Sequence, residues 1–317
     1  MVHLRLVVPL TAVAAVLEIL ARCASVINVV HLPGVATKPS GDLVMCDVAR
    51  EDASVVIADL TALGLEENGS IALENVDTSI SHASVAAERA APGSPSDAVL
   101  WEDVTARTSE SATISWVFLI FMVLASLIAA VGIVLDSPIL VVGAMVVGPE
   151  FGPVAGVCVA LVQRAPRLAT RSLAALAAGF PLGIALTVLM TVIFKATDVI
   201  PDDFDPAAHS LSSAIAQPDF LAFFVAFSAG IAGMLSLSTA KSGALIGVLI
   251  SVTTIPASAN AAVAAGYGDW STFEGSLGQL GINLTAMLAA GTLTLGIQRW
   301  LYARRRAGYR ARHGGAG

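Results

Sequence analysis

Residues 137–163 read SPILVVGAMVVGPEFGPVAGVCVALVQ, an apolar run long enough to cross a bilayer but interrupted halfway. The interruption is Gly148-Pro149-Glu150-Phe151-Gly152-Pro153. Two prolines remove two backbone donors, which breaks a helix, and two glycines accept angles that other residues avoid. Backbone left unpaired by such a break cannot face lipid, so it must face protein or a wet cavity. A carboxylate at that depth, Glu150, is a candidate functional group because an ionisable residue is costly there. What surrounds this break is the main constraint on the fold.

Composition agrees with a membrane setting. The 317 residues are 56% hydrophobic and only 13% charged, with mean hydropathy +0.80. A soluble domain carries about a quarter charged residues. Charge is unevenly spread. Residues 1–114 hold 6 Lys and Arg against 15 Asp and Glu, and residues 115–317 hold 11 against 9. An acidic soluble part therefore precedes a membrane part, and the acidic balance argues against nucleic acid as a partner. Cys23, Cys46 and Cys158 have neither metal nor disulfide spacing and read as small buried apolar residues. Val7–Ala21 is apolar, but Glu18 interrupts it, so no cleaved signal is expected.

Residues 1–77 alternate between strand and helix patterns. Strands are expected at His3–Val8, Val26–His31, Asp42–Val48 and Gly69–Val76, and helices at Leu10–Cys23 and Glu51–Leu63, with Val35–Gly41 a loop. The order β-α-β-β-α-β is that of an α+β ferredoxin-like domain. Residues 78–114 form a polar linker in which Asp97–Ser111 has the spacing of a short amphipathic helix.

Six apolar spans follow in residues 115–298: Ser115–Leu135, Ser137–Gln163, Ser172–Phe194, Phe220–Ala240, Gly243–Ala265 and Gly275–Gln298. Each has the roughly twenty residues that a bilayer requires. Arg164, Arg167 and Arg171, then Lys241, then the basic tail 299–317 all fall on one side of a six-span arrangement. That side is cytoplasmic by the positive-inside rule, so both termini are expected there. The opposite loops carry Asp136, Asp198, Asp202, Asp203, Asp205, Asp219, Asp269 and Glu274.

The fifth span is also interrupted, at Thr253-Thr254-Ile255-Pro256. Spans two and five run in opposite directions, so the α-helical membrane domain is expected to be a 3+3 inverted repeat with two broken helices. Paired interruptions of this kind point to a midplane binding site.

Gly143-Ala144-Met145 leading into Gly148-Pro149-Glu150-Phe151-Gly152-Pro153, after Leu135-Asp136-Ser137-Pro138, resembles the membrane signature of the "domain of unknown function 389" family. Gly230-Ile231-Ala232-Gly233 and Ile255-Pro256 are similar to that family's second half. The resemblance implies a six-helix bacterial membrane domain, often beside a small soluble domain, and implies no activity. A Leu-Met pair commonly follows the first proline in the family, where this chain has Glu150-Phe151.

The candidate site therefore comprises Glu150 with the break residues Gly148, Pro149, Gly152 and Pro153, the second break Thr253, Thr254 and Pro256, and the amides Asn260 and Asn283. Glu150 would bind a cation or carry a proton, or else cap the half-helix that follows it. The amides would be ligands or interhelical glue. Asp136 reads as a helix cap. No nucleophile elbow, metal-spaced acids or cofactor motif appears, so neither an enzyme nor a cofactor is expected. The reading is a homo-oligomeric transporter or channel-like protein of the bacterial inner membrane, moving a small ion or polar solute. The alternative is a membrane-anchored sensor whose soluble domain binds a ligand.

Overall fold

Alternation of side chains organises the N-terminal sheet of the computed structural model, which describes residues 1–76, 78–91, 93, 98–201, 204–239 and 253–313. Strand β1 (Val2–Val8) buries Val2, Leu4, Leu6 and Val8 and turns the intervening residues to the other face, the period of two that a one-sided sheet demands. Helix α1 is Val13–Arg22, β2 Val26–Thr37, β3 Ser40–Val48, α2 Arg50–Thr61, α3 Leu65–Asn68 and β4 Ser70–Asn75. The sheet order is β2-β3-β1-β4 and each neighbouring pair is antiparallel. Val16 and Leu20 of α1 and Val56 and Leu60 of α2 join the strand residues Leu4, Leu6, Val44 and Cys46 in one apolar core. Glu51 and Asp52 lie in the first turn of α2, where the helix dipole favours acids. Gly64, at φ +77°, supplies the left-handed turn between α2 and α3. All three cysteines are free and buried.

One expectation for this region is corrected. Val35–Gly41 is a loop only at Lys38-Pro39, the turn that joins β2 to β3. Strand β2 continues through Thr37 and pairs Ala36 with Gly41 and Thr37 with Ser40. The breakers Pro33 and Gly34 are absorbed as an irregularity in register between Leu32 and Ala36. The buried carboxylate of Asp42 holds this irregularity together. It is hydrogen-bonded to His31 Nε2 at 2.7 Å and accepts the Gly34 N–H at 2.9 Å.

The His31 hydrogen bond, followed by that of Gly34, holds the Asp42 carboxyl below its ordinary value of 3.8. A depressed acid stabilises the fold while ionised. Its contribution is present above the ordinary value and lost as pH falls through the folded value. Hydrogen exchange in 26–48, corrected for intrinsic rates, is therefore expected to accelerate on acidification below about pH 4. Asp42→Asn should remove that acid-dependent component. Equal acid sensitivity in the variant would assign the effect to another group.

The polar stretch after β4 holds two helices, α4 (His82–Ala90) and α5 (Trp101–Ser111), of which the periodicity predicts only the second. Helix α4 starts because Ser81 Oγ accepts the Ser84 N–H and an Ala-rich segment follows.

Among the described residues the remaining helices are α6 (Trp116–Val134), α7 (Pro138–Val147), α8 (Phe151–Gln163), α9 (Pro166–Ala196), α10 (Ser210–Ile215), α11 (Phe220–Ser238), α12 (Thr254–Tyr267) and α13 (Trp270–His313). Helices α6, α9, α11 and α13 are each long and apolar enough to cross a membrane, and α7 and α8 make one further span bent by 51°. The first half of the expected fifth span, with Lys241, lies outside the described residues, as do Asp202 and Asp203. Apolar side chains such as Ile120 and Leu124 of α6, Leu189 of α9 and Phe224 of α11 are exposed. Apolar faces of this extent suit contact with lipid.

By contrast, α12 is buried at every position from Thr254 to Ala264. It packs against α6, α7 and α9. Its small Ala, Ser and Gly residues leave backbones free to approach closely. Helix α8 is nearly as enclosed, with Pro153–Ala160 all buried. The second halves of the two interrupted stretches are thus the most enclosed helices of this bundle.

The chain divides into two compact units, one of Met1–Asp103, Ser238–Ala240 and Trp300–Gly317 and one of Val104–Leu237 and Lys241–Arg299. The expected basic tail 299–317 is helical through His313, since residues 299–307 contain no Gly or Pro to stop it. Within the first unit, Tyr302 Oη donates to the Ser54 carbonyl at 3.1 Å and the Arg306 guanidinium lies 3.6 Å from the Asp59 carboxylate.

Candidate functional site

The break is short. Gly148 ends α7, donating its N–H to the Ala144 carbonyl at 3.1 Å, and Phe151 begins α8. Pro153 is the third residue of α8, and Pro256 is the third residue of α12. Neither proline interrupts a helix at its own position. Each sits in a first turn, where the missing N–H would have had no intrahelical partner anyway. Both therefore mark helix starts inside the bundle.

Glu150 directly precedes α8 and is 2% exposed. Its side chain gives α8 no cap. It instead crosses to the start of α12, where Glu150 Oε1 accepts the hydroxyl of Thr254 at 2.7 Å. Its other oxygen, Oε2, has no hydrogen-bond partner among the described residues. That oxygen lies over Gly148. A Cβ built on Gly148 would collide with Glu150 Oε2 and stand 2.7 Å from Ile255 Cγ1. Gly148 is thus needed for space, because the carboxylate and Ile255 fill the place a side chain would take.

The polar contacts continue from Thr254 to its neighbour. Asn283 Nδ2 donates to Thr253 Oγ1 at 2.7 Å and to the Thr253 carbonyl at 3.3 Å. Gln279 Nε2 donates to Asn283 Oδ1 at 2.9 Å. Asn260 is elsewhere on α12. Its Nδ2 donates to the Ser212 carbonyl of α10 and to Ser276 Oγ, each at 2.9 Å. The geometry therefore brings Glu150 to Thr254 and Asn283 to Thr253. It does not bring Asn260 to Glu150 by a direct hydrogen bond.

Ser212 and Ser276 are the members that sequence reasoning misses. Thr272, Ser276, Gln279 and Asn283 recur at the spacing i, i+4, i+7, i+11, and all four are buried, so one face of α13 is polar. That pattern is legible in the sequence, but the glycine and leucine between these positions mask it. Asp136 is a cap, though not of the helix that follows it. Its carboxylate accepts the Ser210 hydroxyl at 2.9 Å and the Leu211 N–H at 3.1 Å, at the start of α10.

Gly148, Pro149 and Gly152 also line a cavity of about 420 Å³, together with Ser111, Phe118 and Phe151. Near Gly148 the broken stretch thus meets both an open space and a buried carboxylate. No group of three or more His, Cys, Asp or Glu side chains able to hold a metal occurs among the described residues.

These elements define an α-helical membrane protein with a broken central helix and an N-terminal α/β unit. Residues 145–289 match the family described as "Domain of unknown function (DUF389)". It is 27% identical over 198 residues to the uncharacterized protein MJ0678 of Methanocaldococcus jannaschii, an alignment covering 61% of this chain and 59% of that protein. The chain thus spans less than two thirds of that relative's length. No solved structure matches.

Proposed function

We propose that this protein is a membrane transporter or channel-like protein for a small ion or polar solute, with Glu150 as the group that binds it. One observation carries the reading: a carboxylate that is 2% exposed, at the start of one half-helix, bonded to the start of another, with one oxygen unpartnered. Burying a carboxylate without full satisfaction is costly, so a bound cation or proton in the working cycle accounts for its retention.

Further features support the finer arrangement. The matching positions of Pro153 and Pro256 favour a 3+3 inverted repeat of six spans, with α8 and α12 as the paired half-helices. The sheet order β2-β3-β1-β4 favours a ferredoxin-like N-terminal domain, which would regulate or assemble the transporter as a homo-oligomer. The arginines after span two and after span six favour a plasma-membrane location with both termini cytoplasmic. A sensor with an inert anchor predicts a dry, apolar interior, and the buried Thr253–Asn283–Gln279 contacts weigh against it.

The test is flux through purified full-length protein in liposomes, screening protons, sodium, potassium, common anions and small neutral solutes. Selective, saturable movement of one of them is expected. A bilayer that stays as tight as protein-free liposomes to every solute would remove the transport reading.

A further inference from the structure

We infer, building on the reading of Glu150 above, that the solute is a small monovalent metal cation of the Na⁺ class, and that Asn260, Gln279 and Glu150 offer it successive oxygen ligands. The observation is a set of buried oxygens with no hydrogen-bond partner among the described residues: Asn260 Oδ1, Gln279 Oε1, Glu150 Oε2 and Ser212 Oγ. Their residues are 0%, 4%, 2% and 0% exposed.

The amide orientations follow from chemistry. A carbonyl only accepts, so the Asn260 atom facing the Ser212 carbonyl must be its NH₂. Asn260 Oδ1 is then the atom left over. In the same way the Thr253 carbonyl fixes the NH₂ of Asn283. Asn283 Oδ1 must then accept from Gln279 Nε2, which leaves Gln279 Oε1 without a donor. Every unpaired atom of these three residues is therefore an acceptor, and none is a donor.

The acceptors are arranged in sequence along α13. Asn260 bonds Ser276, Gln279 is three residues further on, and Asn283 is four beyond that. Such residues share a helix face with about 5–6 Å between neighbouring Cβ atoms, and Ser276 to Asn283 covers about 10 Å of helix. Asn283 then bonds Thr253, whose neighbour Thr254 bonds Glu150.

The chemistry selects the ligand. Amide oxygens are too weakly basic to hold a proton at neutral pH but are good ligands for hard cations. A proton relay would have no use for Asn260 or Gln279. An anion would meet the Ser212 hydroxyl as a donor but would face the acceptor oxygens of Asn260, Gln279 and Glu150. Glu150 is the only buried charged side chain among the described residues of this unit, and one carboxylate balances one monovalent charge. Divalent sites gather more carboxylates than this.

The experiment is equilibrium binding of radiolabelled Na⁺ to purified full-length protein in lipid nanodiscs. Saturable binding is expected, displaced by Li⁺ and not by choline, which cannot shed its bulk to enter. Gln279→Leu should weaken it about tenfold, the loss of one ligand oxygen, with an unchanged elution profile. Gln279→Glu adds a charge at the same position and should let Ca²⁺ compete where it does not compete in the wild type. No saturable Na⁺ binding, or equal affinity in wild type and both variants, would overturn the inference. Glu150-dependent flux of an anion or neutral solute without Na⁺ binding would leave transport standing and remove the cation. Gln279-dependent Na⁺ binding without flux of any solute would do the reverse.

Discussion

Glu150→Gln is expected to lower flux in liposomes at least about tenfold, the effect of about 1.4 kcal/mol at a binding site, while the protein remains folded. The substitution keeps the shape of the side chain and an oxygen to accept the Thr254 hydroxyl, now 2.7 Å from Glu150 Oε1. It removes the charge and places an NH₂ where the unpartnered oxygen now lies. Binding of a cation or proton requires the oxygen and the charge, whereas joining the starts of α8 and α12 requires only the shape. The glutamine variant therefore separates the two roles. Glu150→Leu loses both. It leaves the Thr254 hydroxyl unsatisfied in a buried place, at a cost of about 1–3 kcal/mol, and should also lower the thermal midpoint in detergent. Unchanged flux in Glu150→Gln, with a lower midpoint in Glu150→Leu, would make Glu150 a structural link between the two half-helices.

Leu4→Ala is expected to destabilise the N-terminal unit by about 2–5 kcal/mol, the range for removing a buried leucine from a well-packed core. Leu4 is fully buried on the central strand β1, opposite Cys46 of β3 and Leu73 of β4. The space it leaves is bounded by hydrogen-bonded strands on both sides, which limits relaxation. Hydrogen exchange of the full-length protein should report the loss. Amides of 2–8 and 40–48 that exchange by cooperative opening should speed up at least about thirtyfold, the equivalent of 2 kcal/mol. Leu10→Ala is the control, since Leu10 is 76% exposed, and should change protection little. Equal effects of the two substitutions would mean that β1 is not the centre of this core.

Much of this architecture can be read from local pattern. The period of two in Val2, Leu4, Leu6 and Val8 announces a one-sided strand, and the strand is there. The apolar lengths announce membrane helices, and among the described residues four helices are long and apolar enough to cross a membrane, with a fifth as a bent pair. Gly148 and Pro149 announce the break between α7 and α8. The hairpin is less legible, because Pro33 and Gly34 carry the sequence signals of a turn. A histidine and an aspartate eleven residues apart hold the strand together across them. The basic tail is read correctly as charged and missed as a helix, because charge pattern says where a segment is stable and not whether its backbone continues.

By itself the sequence determined the membrane class of the chain, its strand and helix periods, the position of the break and the unusual carboxylate within it. These properties depend on neighbours along the chain. Only the tertiary structure decided that Glu150 meets Thr254, 104 residues away, and that it leaves the cap of its own helix unmade. Only packing decided that the amides of Asn260 and Gln279 spend their donors on nearby carbonyls and hydroxyls and keep their oxygens unpaired. The physical reason is that composition and periodicity specify which face of a helix is buried. The rotation and height at which two buried faces meet depend on the shapes of both, and those set which polar atoms find partners and which remain to bind something else.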